Sequence, residues 1–227
     1  MSRATTLGRL AYVYLTVPSQ TQTQRAVRQV ERRVAAAAEK ATAPLVLAVS
    51  GGLDSMVLLD AAARVVRSRI AAVATFDHGS GSHSATSAEF VCDEAHARDV
   101  PVVSGRGEQL SPAESVWREA RWGFLRRVAA DFGAVVATAH TEDDQVETVL
   151  MRAMRGAGAR GLAALYASSD VSRPFIDLSR ATLEQYARAR DVRWVSDPTN
   201  EDLRFFRNRI RRDLLPALFQ ARSGLGG

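Results

Sequence analysis

The sequence predicts a doubly wound α/β fold, Rossmann-like and built on a mostly parallel sheet, with a short helical extension at its C-terminal end. Two observations support this prediction. Apolar runs and helical stretches alternate along residues 41–155, with roughly 25–35 residues for each strand–helix unit. The apolar runs are continuous and do not alternate with polar residues, which is typical of parallel strands covered on both faces.

The individual elements follow in order from local signals. An alanine- and arginine-rich stretch over residues 22–41 predicts a helix, and a loosely ordered leader over residues 1–20 precedes it. Apolar runs predict strands at residues 45–49, 70–76, 101–104 and 134–138. The stretches between and after them predict helices at residues 54–66, 84–98, 112–131 and 142–155.

The pattern changes after Gly161, where the alternation of strand and helix stops. Ser179 predicts the N-cap of a helix over residues 179–190, and a turn at residues 197–200 leads to a basic helix over residues 203–219. The predicted organisation has three parts: a leader and helix (1–40), the main α/β domain (41–165), and a basic helical extension of that same domain (166–227) with no separate domain after it.

Composition excludes several classes of protein. The apolar fraction of 46% and the mean hydropathy of −0.12 are globular values, and no apolar run approaches the ~20 residues of a membrane span. Cys92 is the only cysteine, which excludes an intrachain disulfide, a cysteine-based zinc site and a cysteine cluster for iron and sulfur. We therefore expect a cytoplasmic enzyme without a membrane partner. Its oligomeric state stays open, with a homodimer as one candidate.

The charge balance is basic, with 30 Lys and Arg residues against 25 Asp and Glu residues. Lys40 is the only lysine, so arginine carries nearly all of the positive charge. Arginine binds phosphate through its bidentate guanidinium, and a basic face attracts nucleic acid. Genomic composition bias is the alternative explanation, because the chain is also very rich in alanine.

The most informative motif is Ser-Gly-Gly-Leu-Asp-Ser at residues 50–55, between an apolar strand and a helix. Such a turn surrounds an anion with backbone N–H groups and the positive end of a helix dipole. Gly51 and Gly52 let phosphate approach the backbone, and Asp54 can hold Mg²⁺ beside the phosphates. An ordinary glycine turn, with Asp or Ser capping the helix, is the alternative.

Two polar motifs follow later strands. Asp77 and His78 end the second predicted strand, where they would face a nucleotide, although a turn capped by Asp77 gives the same sequence. His140, Asp144 and Glu147 follow the fourth strand, and the two acids share one face of the next helix. That face suits an ammonium group or Mg²⁺. Helix capping and favourable charge at the helix N-terminus explain only part of this motif.

Arginines mark three further stretches. Arg118 and Arg121 lie one turn apart on a predicted helix, and residues 151–161 contain three arginines and three glycines. Five arginines accompany two phenylalanines in residues 204–212, which suits contacts with RNA phosphates and bases. Solvated surface and ordinary packing are the alternatives. The candidate RNA-binding residues are Arg155, Arg160, Arg207, Arg209, Arg211 and Arg212.

Together these motifs resemble the tRNA(Ile)-lysidine synthetases of the N-type ATP pyrophosphatase, or PP-loop, superfamily. The likeness extends over about residues 44–219, and residues 143–165 and 208–216 are its most specific parts. It implies the superfamily fold and an ATP- and Mg²⁺-dependent ligase. In the implied reaction, ATP adenylates the C2 oxygen of the wobble cytidine of a tRNA(Ile) with a CAU anticodon. Free L-lysine then displaces AMP to give lysidine.

The resemblance also implies roles for individual residues. Asp54 would contact the metal, Asp144 and Glu147 would bind lysine, and Arg118 or Arg121 would be the family's essential helix arginine. The implied catalytic residues are Asp54, Arg118, Arg121, His140 and Asp144. The implied ATP-binding residues are Ser50, Gly51, Gly52, Leu53, Asp54, Ser55, Asp77 and His78.

Departures from the family pattern keep alternatives open. The family commonly has two histidines where this chain has His140-Thr141, and Leu-Arg where it has Ser80-Gly81. Many members continue into C-terminal tRNA-binding domains, so we expect weaker tRNA binding by the chain as given. The alternatives are another PP-loop tRNA-modifying enzyme that adenylates its substrate, and a relative that binds RNA without turnover. The single Cys92 argues against a thiolase.

Overall fold

The computed structural model describes residues 20–79, 81–107, 114–158, 170–196 and 206–218. Within these residues, five parallel strands form one sheet in the order β3-β2-β1-β4-β5. The strands are β1 (Leu45–Ala48), β2 (Ile70–Asp77), β3 (Val102–Arg106), β4 (Val135–Ala137) and β5 (Val171–Ser172). The chain builds outward from β1 to β3 on one side and then from β4 to β5 on the other. The strand order therefore reverses between β1 and β4.

Seven α-helices lie among the described residues. They are α1 (Gln20–Lys40), α2 (Leu53–Val65), α3 (Ser82–His96), α4 (Glu114–Asp131), α5 (Glu142–Met154), α6 (Arg180–Ala189) and α7 (Phe206–Arg209). A short 3₁₀ turn, Arg67–Arg69, precedes β2. Helix α7 runs directly into a π-helical turn, Ile210–Leu214, and helical residues follow up to 218. The π-helical turn is a rare conformation that occurs frequently at functional sites.

The side chains of β1 alternate between two apolar layers. Leu45 and Leu47 belong to a core shared with α1, α2 and α6, whereas Val46 packs with α4 on the other face. Burial on both faces explains why the strands read as continuous apolar runs. All residues of α2 from 55 to 62 are buried, so its first turn is held firmly at the edge of the sheet.

The predicted α/β fold with a parallel sheet is confirmed, as is Ser179 as the N-cap of α6. The sequence does not predict β5, because two residues are too few to give a periodic signal. The leader up to residue 19 and the turn at residues 197–200 lie outside the described residues, and the division into domains stays a prediction. No helix in the described part of the chain is long and apolar enough to cross a membrane.

Candidate active site

One cavity of about 390 Å³ opens at the carboxyl ends of β1, β2 and β4. It lies where the strand order reverses, which is the usual place for a ligand in an open α/β sheet. Predicted site residues from separate stretches of the chain line it: Ser50, Gly52, Leu53, Asp54, Ser55, His78, Arg118, Arg121, His140, Asp144, Arg207 and Arg211. The fold thus brings most of the predicted residues together.

The conformation of the loop after β1 depends on Gly51, whose φ of +86° lies in the left-handed region that favours glycine. A Cβ atom there would lie 3.3 Å from the backbone oxygen of Ser87. The backbone N–H of Ser50 donates to Oγ of Ser55 at 3.1 Å, and that hydroxyl donates to the carbonyl of Gly52 at 2.8 Å. Gly52 is the N-cap of α2, and no side chain caps this helix, which leaves its N-terminus available to an anion.

Asp54 lines the cavity from the first turn of α2. Its Oδ1 atom is buried without a hydrogen-bond partner among the described residues, and its Oδ2 atom lies 3.8 Å from Nη1 of Arg180. Burial raises the pKa of Asp54 to about 6; the charge of Arg180 opposes this rise and that of Asp144 adds to it. A buried carboxylate oxygen without a partner is suited to receive a cation.

The donors around Asp54 fit Mg²⁺ if a phosphate-bearing ligand is present too. The described residues contain no group of three or more His, Cys, Asp or Glu side chains that could hold a metal ion. Mg²⁺ is usually bound by one or two carboxylates together with substrate phosphates and water. Asp54 offers such a carboxylate, and residues 50–55 offer a place for the phosphates.

Thr141 and Asp144 form a capping box at the start of α5. Oδ2 of Asp144 accepts hydrogen bonds from the backbone N–H and the hydroxyl of Thr141 at 2.9 and 3.0 Å, so capping accounts for part of the acidic motif. Oδ1 accepts from Nη2 of Arg207 at 2.7 Å. Burial would raise the pKa of Asp144, but the bonds from Thr141 and the charge of Arg207 hold it below its ordinary value. Asp144 is therefore an anion at neutral pH.

His140 lines the cavity between β4 and α5. Burial lowers its pKa to about 4, although the charge of Asp144 opposes that shift. Its Nδ1 atom lies 2.8 Å from the hydroxyl of Thr138, which restrains the ring. His140 is thus neutral at pH 7 and offers a hydrogen bond instead of a charge.

Glu147 is fully buried and does not line the cavity. Nε of Arg207 donates to its Oε2 atom at 2.6 Å, and Nε of Arg211 donates to its Oε1 atom at 2.5 Å. A contact between Glu147 and lysine, as the sequence predicts, would require one of these arginines to move. The two arginines, predicted to bind tRNA, are half-buried at the cavity and held there in these ion pairs. The roles of all three residues stay predictions.

Two arginines on α4 bring positive charge to the cavity wall. Arg118 is exposed, and Arg121 is half-buried with an Nε atom that has no hydrogen-bond partner in the described part of the chain. Burial lowers the pKa of Arg121, and the charges of Arg118 and Arg207 lower it further. Because a desolvated guanidinium without a counter-charge is costly, this wall is suited to an anionic ligand.

Asp77 and His78 lie in different environments although they are neighbours. Oδ1 of Asp77 accepts from the backbone N–H of Gly79 at 2.8 Å, and Oδ2 lies 3.4 Å from Nε of Arg106. Burial would raise the pKa of Asp77, but its hydrogen bonds with Ser84 and Gly79 hold it below the ordinary value. Asp77 thus stabilises a turn, as the alternative interpretation expects, while His78 lines the cavity. Their contact with ATP stays a prediction.

The motifs do not single out two residues that line the cavity, Arg180 and Trp194. Arg180 is the first residue of α6, and Trp194 has 42% of its surface exposed. The backbone N–H of Val195 donates to the carbonyl of Gly51 at 2.9 Å, which holds the segment with Trp194 against the loop. Both residues lie in stretches that share in the family resemblance, but a resemblance between stretches assigns no role to them.

The remaining candidate tRNA-binding residues differ in their placement. Arg155, Arg209 and Arg212 are exposed, and the guanidinium of Arg209 lies 5.3 Å from the ring centroid of Phe206. Arg160 lies outside the described residues. Binding of tRNA by these arginines stays a prediction.

Comparison with known sequences identifies relatives over most of the chain. A family profile described as PP-loop domain matches residues 21–218. The chain is 40% identical over 192 residues to a tRNA(Ile)-lysidine synthase from Burkholderia mallei, a match that covers 77% of this chain and 38% of that protein. It is 40% identical over 207 residues to a tRNA(Ile)-lysidine synthase from Rhodopseudomonas palustris, covering 85% of this chain and 59% of that protein. The chain therefore spans only part of the length of these curated relatives.

Comparison with solved structures supports the fold. The U34-tRNA thiolase NcsA from Methanococcus maripaludis matches with a TM-score of 0.66 and 14% sequence identity. The match covers 78% of this chain and 67% of that one. At this level of identity the likeness shows a shared fold and nothing about the reaction.

Proposed function

Because the chain belongs to the PP-loop domain family, we propose that it is the catalytic domain of a tRNA(Ile)-lysidine synthase. In the first proposed step, the C2 oxygen of the wobble cytidine of a tRNA(Ile) with a CAU anticodon attacks the α-phosphate of ATP, and pyrophosphate leaves. In the second step, the amine of free L-lysine attacks C2, and AMP leaves with the oxygen. The relatives that carry this name, at 40% identity, support the choice of substrates.

The observation that carries the proposal is the combination of opposite charges in one cavity. The uncapped N-terminus of α2 and Arg121 suit the phosphates of ATP, whereas Asp144 suits the ammonium group of lysine. ATP reacts with the C2 oxygen of the cytidine and lysine then attacks C2 itself, so a single cavity with one anion-binding and one cation-binding wall suits this pair of steps.

The loop at residues 50–55 has the proposed task of binding the phosphates through backbone N–H groups at the start of α2. Mg²⁺, when bound at Asp54, would supply positive charge to the phosphate oxygens. Arg121 would stabilise the charge that develops on the phosphoryl group, since it lines the cavity and the charges that lower its pKa are those of other arginines. Arg118 extends the same wall toward solvent.

Asp144 and His140 have different proposed roles in binding lysine. The low pKa of Asp144 suits a carboxylate that holds an ammonium group and does not remove its proton. The attacking amine must be neutral, and His140, itself neutral at pH 7, can accept a hydrogen bond from it. Glu147 keeps Arg207 and Arg211 in place beneath this wall.

The exposed arginines have the proposed task of binding tRNA. Arg155, Arg209 and Arg212 can contact the phosphate backbone, a type of contact that contributes affinity without reading sequence. The relatives are longer than this chain, so the complete set of tRNA contacts belongs to the longer proteins.

Mass spectrometry of tRNA after incubation with the chain, ATP and isotope-labelled lysine tests this function. We expect a mass gain equal to labelled lysine less one water, with equal amounts of AMP and pyrophosphate. Asp144→Asn should lower lysine incorporation strongly, whereas Glu142→Gln, an exposed acid on the same helix turn, should not. AMP formation without lysine incorporation would indicate a different adenylating enzyme. Binding of tRNA without AMP formation would indicate a relative without turnover.

A further inference from the structure

The arginines at the cavity differ in how firmly they are bound. Arg207 and Arg211 are held in ion pairs of 2.5 to 2.7 Å. Arg180 has only loose ionic contacts within the described residues, because Nη1 lies 3.8 Å from Oδ2 of Asp54 and Nε lies 3.8 Å from Oε1 of Glu184. Both separations exceed hydrogen-bond distance. The guanidinium of Arg180 therefore retains its donors for a ligand.

The backbone around Arg180 is fixed although its side chain is not. The N–H of Arg180 donates to Oδ2 of Asp143 at 2.7 Å, and the N–H of Glu142 donates to the carbonyl of Leu178 at 3.0 Å. These two bonds join the N-terminus of α6 to that of α5. The contact with Asp54 adds the N-terminus of α2. Three helix N-termini, each with a partial positive charge, thus meet at this side of the cavity.

We propose that Arg180 is a phosphate-binding residue, which contacts the terminal phosphates of ATP and then the departing pyrophosphate beside Asp54. The inference rests on the proposed function, which names ATP as the nucleotide. Two independent features support it: the unused donors of Arg180, and the buried Oδ1 atom of Asp54, which has no partner among the described residues.

The distance from Asp54 argues for the pyrophosphate end of the nucleotide. Asp54 is the carboxylate that would hold Mg²⁺ at this site, and the ion would neutralise charge on the terminal phosphates of the nucleotide. A guanidinium 3.8 Å from this carboxylate is within reach of the same phosphate oxygens. Arginine also matches the geometry of a phosphate through its two parallel donors.

Isothermal titration with inorganic pyrophosphate tests the proposal without any turnover. Arg180→Met should weaken pyrophosphate binding by about 10- to 100-fold, the usual loss for hydrogen bonds to a charged group. Arg180→Lys should restore part of the affinity through its charge. Arg188→Met is the matched control, since Arg188 is exposed in the last turn of the same helix. The affinity of this variant for pyrophosphate should equal that of the wild type.

A second titration, in EDTA, separates direct contact from an effect through Asp54. A direct contact predicts that Arg180→Met loses affinity with and without Mg²⁺. A loss that disappears without Mg²⁺ would mean that Arg180 only positions Asp54 and would overturn the proposal, as would unchanged affinity in folded Arg180→Met. Should that variant fail to fold, Arg180→Gln replaces it. A chain that binds pyrophosphate through Arg180 but transfers no lysine would uphold this inference and contradict the proposed function.

Discussion

The carboxyl group of Asp54 is buried, and burial makes its ionisation unfavourable. Burial raises its pKa from 3.8 to about 6. Between these two values the unfolded chain has lost the proton while the folded chain still holds it. The folded state therefore loses stability as pH rises from about 4 to about 6, and above that range the loss is complete.

Asp54→Asn should remove this pH-dependent loss. In EDTA, we expect the variant to have a higher Tm than the wild type at pH 7 to 8, and the difference should vanish below about pH 4, where both states of the wild type are protonated. Thermal unfolding followed by circular dichroism over this pH range measures the effect. A Tm difference that does not change with pH would contradict the raised pKa of Asp54.

The Asp54→Asn variant should also lower turnover by ~10²-fold, because one charge contact in the transition state is lost.

Single residues could be predicted from sequence where they directly follow a predicted strand. Residues 50–55 and His140 are of this kind, because parallel strands bring their carboxyl ends to one edge of the sheet. The ion pairs of Glu147 could not be predicted, since its partners lie 60 and 64 residues away in sequence. The sequence around Arg180 does not mark it as a site residue either. Its proposed role depends on its distance from Asp54, which only the folded chain defines.

At the scale of elements, α5 and the segment from α7 to the π-helical turn are joined by buried charge. Glu147 is fully buried, and each of its two carboxylate oxygens is paired with an arginine. Removing the buried acid is destabilising, because Arg207 and Arg211 are then left half-buried with Asp144 as their one remaining acidic partner among the described residues.

Glu147→Gln should therefore lower the free energy of unfolding by about 3 kcal/mol or more. Urea denaturation measures this loss, with Glu142→Gln as the control, since Glu142 is exposed at the start of the same helix. The control should change the free energy of unfolding by less than about 0.5 kcal/mol. Equal urea midpoints for both variants would show that the buried pairs contribute no stability.

Elements with a clear period could be predicted, and the short or irregular ones could not. The helix before β1 and the helix with Arg118 and Arg121 extend over several turns, so composition and spacing identify them. The two residues of β5 and the five of the π-helical turn are set by their neighbours. For such short segments, tertiary packing decides the conformation.

At the scale of the whole molecule, the positive charge divides into an inner and an outer set. Arg207 and Arg211 are compensated by acids, whereas Arg209 lies at the surface over the ring of Phe206. Only the outer set can release counterions when the chain binds a polyanion, so it controls the salt dependence of binding.

Arg209→Ala should weaken tRNA binding and reduce the slope of log affinity against log salt by about 1. Filter binding or fluorescence anisotropy with labelled tRNA over a range of salt concentrations gives the slope. Arg188→Ala serves as the control, because Arg188 is exposed but lies on α6. If both variants kept the wild-type slope, Arg209 would be a packing residue and not a phosphate contact.

The overall architecture could be predicted because its signal is spread over the whole chain. Continuous apolar runs indicate strands buried on both faces, and β1 confirms the reason, with Leu45 and Leu47 in one layer and Val46 in the other. The order of the strands is not encoded in any one segment. It follows from the packing of helices on both faces of the sheet, which gives the site its position between β1 and β4.

The three tryptophans of the chain all lie at or beside the cavity. Trp122 and Trp194 line it, and the ring centroid of Trp117 lies 6.0 Å from that of His78, another lining residue. The tryptophan part of the protein's ultraviolet emission therefore arises at or beside the site. A molecule that covers the exposed indole of Trp194 would therefore change the wavelength and the quenching of the tryptophan fluorescence. Binding at the site can be followed in the native chain without an attached dye.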